Sequence, residues 1–288
     1  MYFSSTARRF GVDQMRIKID GLEFGYSSVP VLHDVVLDLD GPQFVSIIGP
    51  NGVGKSTLIH CMNKVLKPNS GTVMLNDTDV SEMKLKEVAK IVGYVPYTSS
   101  DTFPLTVVDT VLMGRSPHTG WRPKEKDLEI VYNILKMLSI DHLADRAFNE
   151  LSAGQHQKVM LARGLAQDPQ ILLLDEPTSN LDIRHQLEVT SILKELSSHK
   201  DMLVIMISHD INIASKFSDK MILLKGGSIY AAGTPEEVIT EDNIRDVYGV
   251  ESEVITSGGR PHVILNMPIG WEEQLGKLRL TGTVKSEQ

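Results

Sequence analysis

Residues 49–57 read GPNGVGKST, and this stretch decides the fold of the 288-residue chain. It fits the pattern G-x-x-x-x-G-K-[S/T], in which the backbone N–H groups of a glycine-rich loop surround a phosphate group. The apolar, β-branched run Gln43–Ile48 before it predicts a buried strand, and residues 55–66 after it predict a helix that ends before Pro68. Because a strand, a glycine-rich loop and a helix are the context that the pattern requires, we predict that this loop binds nucleotide phosphates.

Each residue type in this loop has a physical reason to be there. Glycine permits the positive φ angles that turn successive N–H groups toward an anion, and the helix that begins at Lys55 adds its positive end. One helix N-terminus stabilises an anion by only about 0.3–1 kcal/mol at a surface. A polyphosphate therefore also requires the Lys55 ammonium group and a metal ion on the Ser56 hydroxyl. The residues expected at the nucleotide phosphates are Gly49, Pro50, Asn51, Gly52, Val53, Gly54, Lys55, Ser56 and Thr57.

Two carboxylates follow a second buried strand. The strand is the aliphatic run Ile171–Leu174, and Asp175 and Glu176 come directly after it. Carboxylates at the end of a buried strand are costly unless a cation or a proton neutralises them. We therefore expect Asp175 to hold magnesium, directly or through water, and Glu176 to act on the water that attacks the γ-phosphate. A solvated helix cap is the alternative that these two residues alone leave open.

A histidine follows a third buried run. His209 comes after Leu203–Ile207, in the sequence SHD. A single histidine is more often structural, but at the end of the strand that follows Asp175 and Glu176 it is placed to reach the γ-phosphate. The other eight histidines show no H-x-x-H or H-E-x-x-H spacing, so we predict no cluster of histidine metal ligands.

A second candidate anion site lies at residues 151–155, which read LSAGQ. Ser152 offers a hydroxyl group, Gly154 a backbone N–H group, and the helix predicted over residues 155–167 its positive end. Alone, such a pentapeptide is a common helix cap. Together with the phosphate loop, it predicts that two chains bind the same nucleotide from opposite sides.

Composition describes an ordinary globular protein without a membrane-spanning segment. Apolar residues make up 41% of the chain and charged residues 23%, and no run approaches eighteen apolar residues. The net charge of -8 argues against nucleic acid as a partner. The single cysteine, Cys61, is expected to be buried and allows no intramolecular disulfide. Residues 1–14 lack the apolar segment of an export signal and are expected to form a loose leader.

Strands alternate with helices along most of the chain, which predicts an α/β fold with a largely parallel sheet covered on both faces. Further strands are predicted at residues 16–24, 31–39, 72–75, 221–224 and 228–232. Further helices are predicted at residues 83–90, 106–113, 124–138, 183–197, 235–239 and 243–248. After Gly249 the sequence predicts one apolar run, at residues 262–266, and a tail of no assigned role.

Five ordered motifs resemble the ATP-binding cassette of ABC transporters. They are GPNGVGKST, LSAGQ, ILLLDEP, SNLD at residues 179–182, and the isolated His209. The resemblance covers residues 16–250. It implies a phosphate-loop (P-loop) NTPase core with a mostly parallel sheet, an antiparallel β subdomain and a helical subdomain at about residues 97–166 that carries LSAGQ. We expect one ATPase domain at residues 15–250 and an extension of unknown role at residues 251–288.

The same resemblance implies a role for each site residue. Lys55 contacts the β- and γ-phosphates, Ser56 binds magnesium, Glu176 is the catalytic base and His209 senses the γ-phosphate. Further contacts to ATP come from four more positions: Tyr26 stacks on adenine, and Ser152, Gly154 and Gln155 act on the ATP of the partner chain. Asp182 links the two sites across the dimer. The implied cofactors are ATP and Mg²⁺.

Two positions depart from the family pattern. Ala153 replaces the middle glycine of the usual LSGGQ, which a negative φ at that position accommodates. Tyr97 stands where the family places a glutamine that helps ligate magnesium and relays the nucleotide state to the membrane subunits. We do not carry that magnesium role over to the Tyr97 hydroxyl, which is a weaker ligand.

Two further stretches give a finer match. Residues 103–118, FPLTVVDTVLMGRSPH, and residues 181–186, LDIRHQ, are similar to the importer subfamily for iron-siderophore, haem or cobalamin chelates. This implies a peripheral subunit at the cytoplasmic face of the membrane. Its partners would be a second copy of itself, transmembrane permease subunits and, indirectly, an extracytoplasmic substrate-binding protein, with no nucleic acid. The alternatives are a soluble ABC ATPase of DNA repair or translation, a phosphate-loop kinase, and an ABC transporter of another substrate or of export direction.

Overall fold

The computed structural model describes residues 15–97, 105–119, 123–179 and 181–271. The predicted leader at residues 1–14, Phe103, Pro104 and Asn180 of the motifs above, and the tail beyond Trp271 lie outside the described residues.

Twelve strands lie within the described part of the chain. They are β1 (Arg16–Tyr26), β2 (Val29–Asp40), β3 (Gln43–Ile48), β4 (Ser70–Leu75), β5 (Thr78–Asp79), β6 (Val92–Val95), β7 (Ile171–Leu174), β8 (Leu203–Ile207), β9 (Lys220–Lys225), β10 (Ser228–Gly233), β11 (Val250–Ser257) and β12 (Arg260–Pro268). The three strands predicted at Gln43–Ile48, Ile171–Leu174 and Leu203–Ile207 are confirmed to the residue.

Nine α-helices lie in the same described ranges. They are α1 (Lys55–Met62), α2 (Leu85–Ile91), α3 (Val107–Leu112), α4 (Glu125–Met137), α5 (Ala153–Ala166), α6 (Ile183–His199), α7 (Ile211–Phe217), α8 (Pro235–Val238) and α9 (Glu241–Tyr248). Short 3₁₀ turns follow α3 at Met113–Arg115 and precede α5 at Asp141–Leu143 and Phe148–Glu150.

The strands form two main sheets, as the α/β prediction requires. The larger sheet has the order β10-β9-β3-β8-β7-β6, in which only the β9–β10 pair is antiparallel. A four-stranded antiparallel sheet, β2-β1-β4-β5, lies beside it. The predicted fold class, with a mostly parallel core sheet, an antiparallel β part and a helical part, is therefore confirmed.

The aliphatic strands of the larger sheet are buried on both faces. Successive residues of β7 face opposite sides, so Ile171 and Leu173 join the core shared with the antiparallel sheet, whereas Leu172 and Leu174 join the core under α3 to α6. The residues of β8 divide between the same two cores. Because both faces are covered, these strands carry continuous apolar runs and no alternation with polar residues.

Helix α1 ends earlier than predicted. It was expected to continue to Leu66, but its last residue is Met62. Lys64 has a φ of 62°, and the N–H groups of Val65 and Leu66 both donate to the carbonyl of His60. The helix thus ends six residues before Pro68, and this local turn pairs the backbone groups that follow it, so the proline is not the signal that stops it.

Several elements were not predicted from the sequence. They include strands β5 and β6 and helix α7, and the region after Gly249 forms a hairpin, β11–β12, where the sequence indicated only one apolar run. The hairpin packs on α7 and α9, and Val263 is buried together with Ile48 and Ala214 in a third core cluster. The side-chain amide of Asn212 pairs with both backbone groups of Val263, at 2.8 and 3.1 Å. These contacts join residues that are far apart in the sequence, so no local sequence pattern predicts them.

Candidate active site

The predicted catalytic residues meet at one edge of the larger sheet. Strand β8 lies between β3 and β7, and all three run parallel. Their carboxyl ends therefore lie side by side, which places the phosphate loop after β3, His209 after β8, and Asp175 with Glu176 after β7 at the same edge. Ligand sites of open α/β sheets form at this edge because the loops that leave neighbouring strands meet there.

The phosphate loop has the backbone that its glycines permit. Gly49 and Gly54 have φ angles of 145° and 103°, which side-chain-bearing residues rarely adopt. A Cβ atom on Gly49 would also lie 2.6 Å from the carbonyl oxygen of Leu224 in β9. The loop is thus fitted against the neighbouring strand with no space for a side chain at its first position.

Lys55 lies at the centre of this loop. Its Nζ atom donates to the carbonyl oxygens of Gly49 and Pro50, at 2.8 Å each, and the side chain is almost fully buried. Burial lowers the pKa of Lys55, and the carboxylates of Glu176 and Asp175 partly oppose that shift. An ammonium group has three donors, so two hold the loop and a third remains to contact a phosphate oxygen.

The predicted magnesium ligands are in direct contact. The Ser56 hydroxyl donates to Oδ1 of Asp175 at 2.9 Å, although the two residues are 119 positions apart in sequence. Burial raises the pKa of Asp175, and the charge of Glu176 raises it further, while the hydrogen bond from Ser56 lowers it. A bound cation would remove the cost of burying this carboxylate.

The two oxygens fit Mg²⁺. In an octahedron with ligands at about 2.0–2.1 Å, neighbouring oxygens are about 2.9 Å apart, and hydroxyl, carboxylate and phosphate oxygens are the ligands that Mg²⁺ prefers. Ser56 and Asp175 would hold the ion, which would neutralise charge on the phosphates when bound.

Glu176 and His209 form a pair at the outer side of the same site. Oε1 of Glu176 lies 2.5 Å from Nε2 of His209, and the carboxylate side chain is only 19% exposed. Glu176 has a φ of 51°, an unusual angle for a residue with a side chain. Strained backbone of this kind is held in place by its surroundings and is concentrated at functional sites.

A cleft of about 570 Å³ connects these groups. Its lining contains Lys55, Ser56, Asp175, Glu176 and His209. It extends to the ring of Tyr26, which is half exposed and meets Phe24 edge to face with the ring centroids 4.9 Å apart. Tyr97 and Val31 also line the cleft. The sequence did not identify Val31 as a site residue, because a single valine in a strand has no pattern that indicates a ligand contact.

The LSAGQ segment lies elsewhere on the described surface. Ser152 caps α5 by accepting a hydrogen bond from the N–H of Gln155 at 3.4 Å, while the Gln155 side chain accepts one from the N–H of Ser152 at 3.1 Å. Ala153 is the first residue of α5, so the position taken by the usual glycine has a helical φ. Among the described residues that line the cleft, none belongs to this segment.

Asp182 caps helix α6 in a similar way. Its Oδ1 atom accepts hydrogen bonds from the backbone N–H of His185 at 2.9 Å and from the Nδ1 atom of the same residue at 2.8 Å. These two bonds lower the pKa of Asp182. His185 also lies against Gly154, a contact that the sequence analysis missed, although His185 is part of the quoted LDIRHQ segment.

Among the described residues, no helix is both long and apolar enough to cross a membrane. A family model described as "ABC transporter" matches residues 32–179, which is just over half of the chain.

Relatives of similar length support the same family. An uncharacterized ABC transporter ATP-binding protein of Methanocaldococcus jannaschii is 45% identical, over 89% of this chain and 99% of that protein. The ferric enterobactin transport ATP-binding protein of Escherichia coli is 35% identical, over 88% of this chain and 94% of that protein.

Solved structures agree with these relatives. A metal-chelate type ABC transporter in an inward-facing conformation is similar with a TM-score of 0.77 and 28% identity, over 88% of this chain and 98% of that one. A dimeric ATP-binding cassette bound to ADP and Pi is similar with a TM-score of 0.68 and 29% identity, over 76% of this chain and 98% of that one. Taken with the phosphate loop, the Ser56–Asp175 contact and the Glu176–His209 pair, these findings show that the chain belongs to the ABC transporter family, as one of its ATP-binding ATPase subunits.

Proposed function

We propose that this chain hydrolyses ATP to power an importer of a metal chelate of the iron-siderophore, haem or cobalamin class. The observation that carries the ATPase part is the convergence of Lys55, Ser56, Asp175, Glu176 and His209 on one cleft. The names of the relatives and of the similar solved structure support the chelate class.

ATP would bind with its phosphates against the loop at residues 49–57 and its adenine against Tyr26. Lys55 would release one of its two loop carbonyls, or use its third N–H group, to contact the β- and γ-phosphates. Magnesium on Ser56 and Asp175 would neutralise phosphate charge, as in other phosphate-loop enzymes. Glu176 would orient and deprotonate the attacking water, and His209, its direct neighbour, would contact the γ-phosphate.

A second copy of the chain would complete the site. Ser152, Gly154 and Gln155 lie at the N-terminus of helix α5 and do not line the cleft of their own chain, so this helix end is available to the γ-phosphate of a partner. Two chains facing each other would then enclose two ATP molecules. Because only the closed dimer contacts each nucleotide from both sides, ATP would favour closure and hydrolysis would remove that preference.

The importer role requires membrane partners. We expect transmembrane permease subunits that contact the helical part of this chain, at the cytoplasmic face of the membrane. An extracytoplasmic binding protein would deliver the chelate. The similarity to the enterobactin and metal-chelate proteins supports this arrangement.

The first experiment uses Glu176→Gln, which keeps the size of the side chain and removes its charge. We expect ATP binding to persist, turnover to fall by about 10²–10⁴-fold and the ATP-bound protein to accumulate as a dimer. Glu195→Gln is the matched control, because Glu195 also pairs with a histidine, His199 at 3.0 Å, on the exposed end of α6. Measurements are phosphate release and light scattering with ATP and Mg²⁺. Full turnover in Glu176→Gln would show that Glu176 is not the catalytic base. If the ATP-bound variant stays monomeric at high protein concentration, the proposed site shared between two chains is wrong.

A second experiment addresses the chelate. The chain is purified together with its native membrane subunits and placed in vesicles with its binding protein. We expect ATP hydrolysis to rise when the binding protein carries an iron-siderophore, haem or cobalamin, and to stay at the basal rate with unloaded protein. Stimulation by none of these chelates would refute the substrate class while leaving the ATPase assignment intact.

A further inference from the structure

We propose that His185 is a positioning residue that links the LSAGQ segment to the Asp182 loop, so that the two segments face the partner chain in a fixed relative position. The inference rests on the proposed function, since it concerns how a second chain completes the ATP site. His185 touches Gly154 on one side and Asp182 on the other.

The contact with Asp182 fixes the imidazole ring. Nδ1 of His185 lies 2.8 Å from Oδ1 of Asp182, and a carboxylate at neutral pH only accepts, so Nδ1 carries the proton. The backbone N–H of His185 already donates to the same oxygen at 2.9 Å, which is the ordinary cap of a helix. The ring bond is therefore additional to capping, and it sets the direction in which the ring points.

The contact with Gly154 lies on the other side of the ring. A Cβ atom at Gly154 would stand 3.1 Å from Cδ2 and 3.3 Å from Cγ of His185. The absence of a side chain at Gly154 thus lets the ring approach the backbone of the second residue in α5. A helix N-terminus that must contact a phosphate needs its first N–H groups held in a defined place, and the His185 ring packs against one of the residues that carry them, Gly154.

A second link lies about one turn along the same two helices. Lys158 on α5 and Glu188 on α6 form an ion pair at 3.1 Å, with the lysine side chain 13% exposed and the glutamate 42% exposed. The spacing from Gly154 to Lys158 is four residues and that from His185 to Glu188 is three, so both links join the same faces of the helices. Two side-chain contacts thus join α5 and α6 near their N-termini. Of these two, the His185 contact is the nearer to Ser152 and Asp182, the residues proposed to face the partner chain.

The test compares His185→Ala with His199→Ala in the Glu176→Gln background. His199 is the matched control because it also pairs with an acidic residue of α6 and is exposed. Each closed dimer contains two such links, and losing one hydrogen bond in each is expected to raise the dimer dissociation constant by about 10-fold. Light scattering or sedimentation over a protein dilution series with ATP and Mg²⁺ measures that constant. His199→Ala is expected to leave it unchanged.

Two further readouts separate positioning from a structural defect. Affinity for a fluorescent ATP analogue at low protein concentration reports the chain's own phosphate loop, and thermal unfolding reports stability; both should match the parent protein. In the otherwise unmodified chain, His185→Ala should need about 10-fold more protein to reach half-maximal ATPase activity, with the activity at saturating protein largely retained.

His185→Asn tests whether both contacts matter. Asparagine keeps a donor near the position of Nδ1 but has no ring to lie on Gly154, so we expect partial recovery of the dimer. Full recovery of dimerisation would show that the Gly154 contact contributes nothing. No recovery would show that the hydrogen bond to Asp182 contributes nothing. Either result overturns the proposed link between the two segments. Equal dimerisation of His185→Ala and His199→Ala also overturns it. If the Glu176→Gln parent itself stays monomeric, the failure lies in the proposed function.

Discussion

Gly49 and Gly52 occupy the same phosphate loop, and we predict that they tolerate an alanine to very different degrees. Both have positive φ angles, 145° for Gly49 and 76° for Gly52. A Cβ atom at Gly52 would meet nothing within 4 Å among the described residues, whereas at Gly49 it would lie 2.6 Å from the carbonyl oxygen of Leu224. The two substitutions therefore separate backbone strain from steric overlap.

The expected magnitudes follow from these two terms. Alanine in a left-handed conformation costs roughly 1–2 kcal/mol, which corresponds to about 5- to 30-fold weaker ATP binding if the loop must regain its shape to bind. Gly49→Ala adds the overlap with Leu224, whose strand pairs with β3 at Ile48 and Leu223, so neither strand can move aside alone. We expect Gly49→Ala to weaken ATP binding by more than about 100-fold, since strained positions of this kind cost up to about 3 kcal/mol before any overlap.

The assay is a titration of each variant with a fluorescent ATP analogue and Mg²⁺ at low protein concentration. Thermal unfolding of both variants is measured beside it, so that loss of the fold is not mistaken for loss of the site. Binding by Gly49→Ala within about three-fold of Gly52→Ala would refute the argument, because it would mean that the Leu224 contact relaxes without cost.

Two other predictions concern buried titratable groups. Asp175→Asn should raise the thermal midpoint of the nucleotide-free protein at pH 7 while weakening Mg²⁺-dependent ATP binding. Burial raises the pKa of Asp175 above its ordinary 3.8, so the folded state holds the proton more tightly and loses stability as pH rises through the raised pKa. The increase in thermal midpoint caused by Asp175→Asn should therefore vanish below about pH 3.8, where the carboxyl group is protonated in both states. A midpoint lower than that of the parent protein at pH 7 would contradict this. Cys61 is 1% exposed and burial raises its pKa to about 12, so a thiol reagent at pH 8 should react only as fast as the protein opens. Immediate reaction in the folded protein would show that Cys61 is accessible.

The strands that carry the site were predictable because their signal is local. Ile171–Leu174 and Leu203–Ile207 are short aliphatic runs, and a sheet covered on both faces imposes that pattern on each strand separately. Helix ends were less predictable. Helix α1 ends at Met62 because of a turn centred on Lys64, and that turn has no proline or glycine to mark it.

The hairpin after Gly249 shows a different limit. The strands Val250–Ser257 and Arg260–Pro268 pair with each other and pack on α9 and α7, but most of their residues remain partly or fully exposed. A strand with little burial carries little hydrophobic pattern, so the sequence indicated one short apolar run there. The amide of Asn212, which pairs with the backbone of Val263, is recognisable as a structural contact only in the folded chain.

The sequence by itself determined which residues belong to the phosphate loop, which strands are buried and which family motifs the chain carries. Those features depend on neighbours within a few positions, through the glycine φ angles and the hydrophobic runs. Only the tertiary structure decided that Ser56 meets Asp175, that Glu176 meets His209, and that His185 lies between Gly154 and Asp182. The strand order β3-β8-β7 sets the first two contacts, and the packing of α5 beside α6 brings His185 to Gly154. Both arrangements depend on burial across the whole core and not on any single segment.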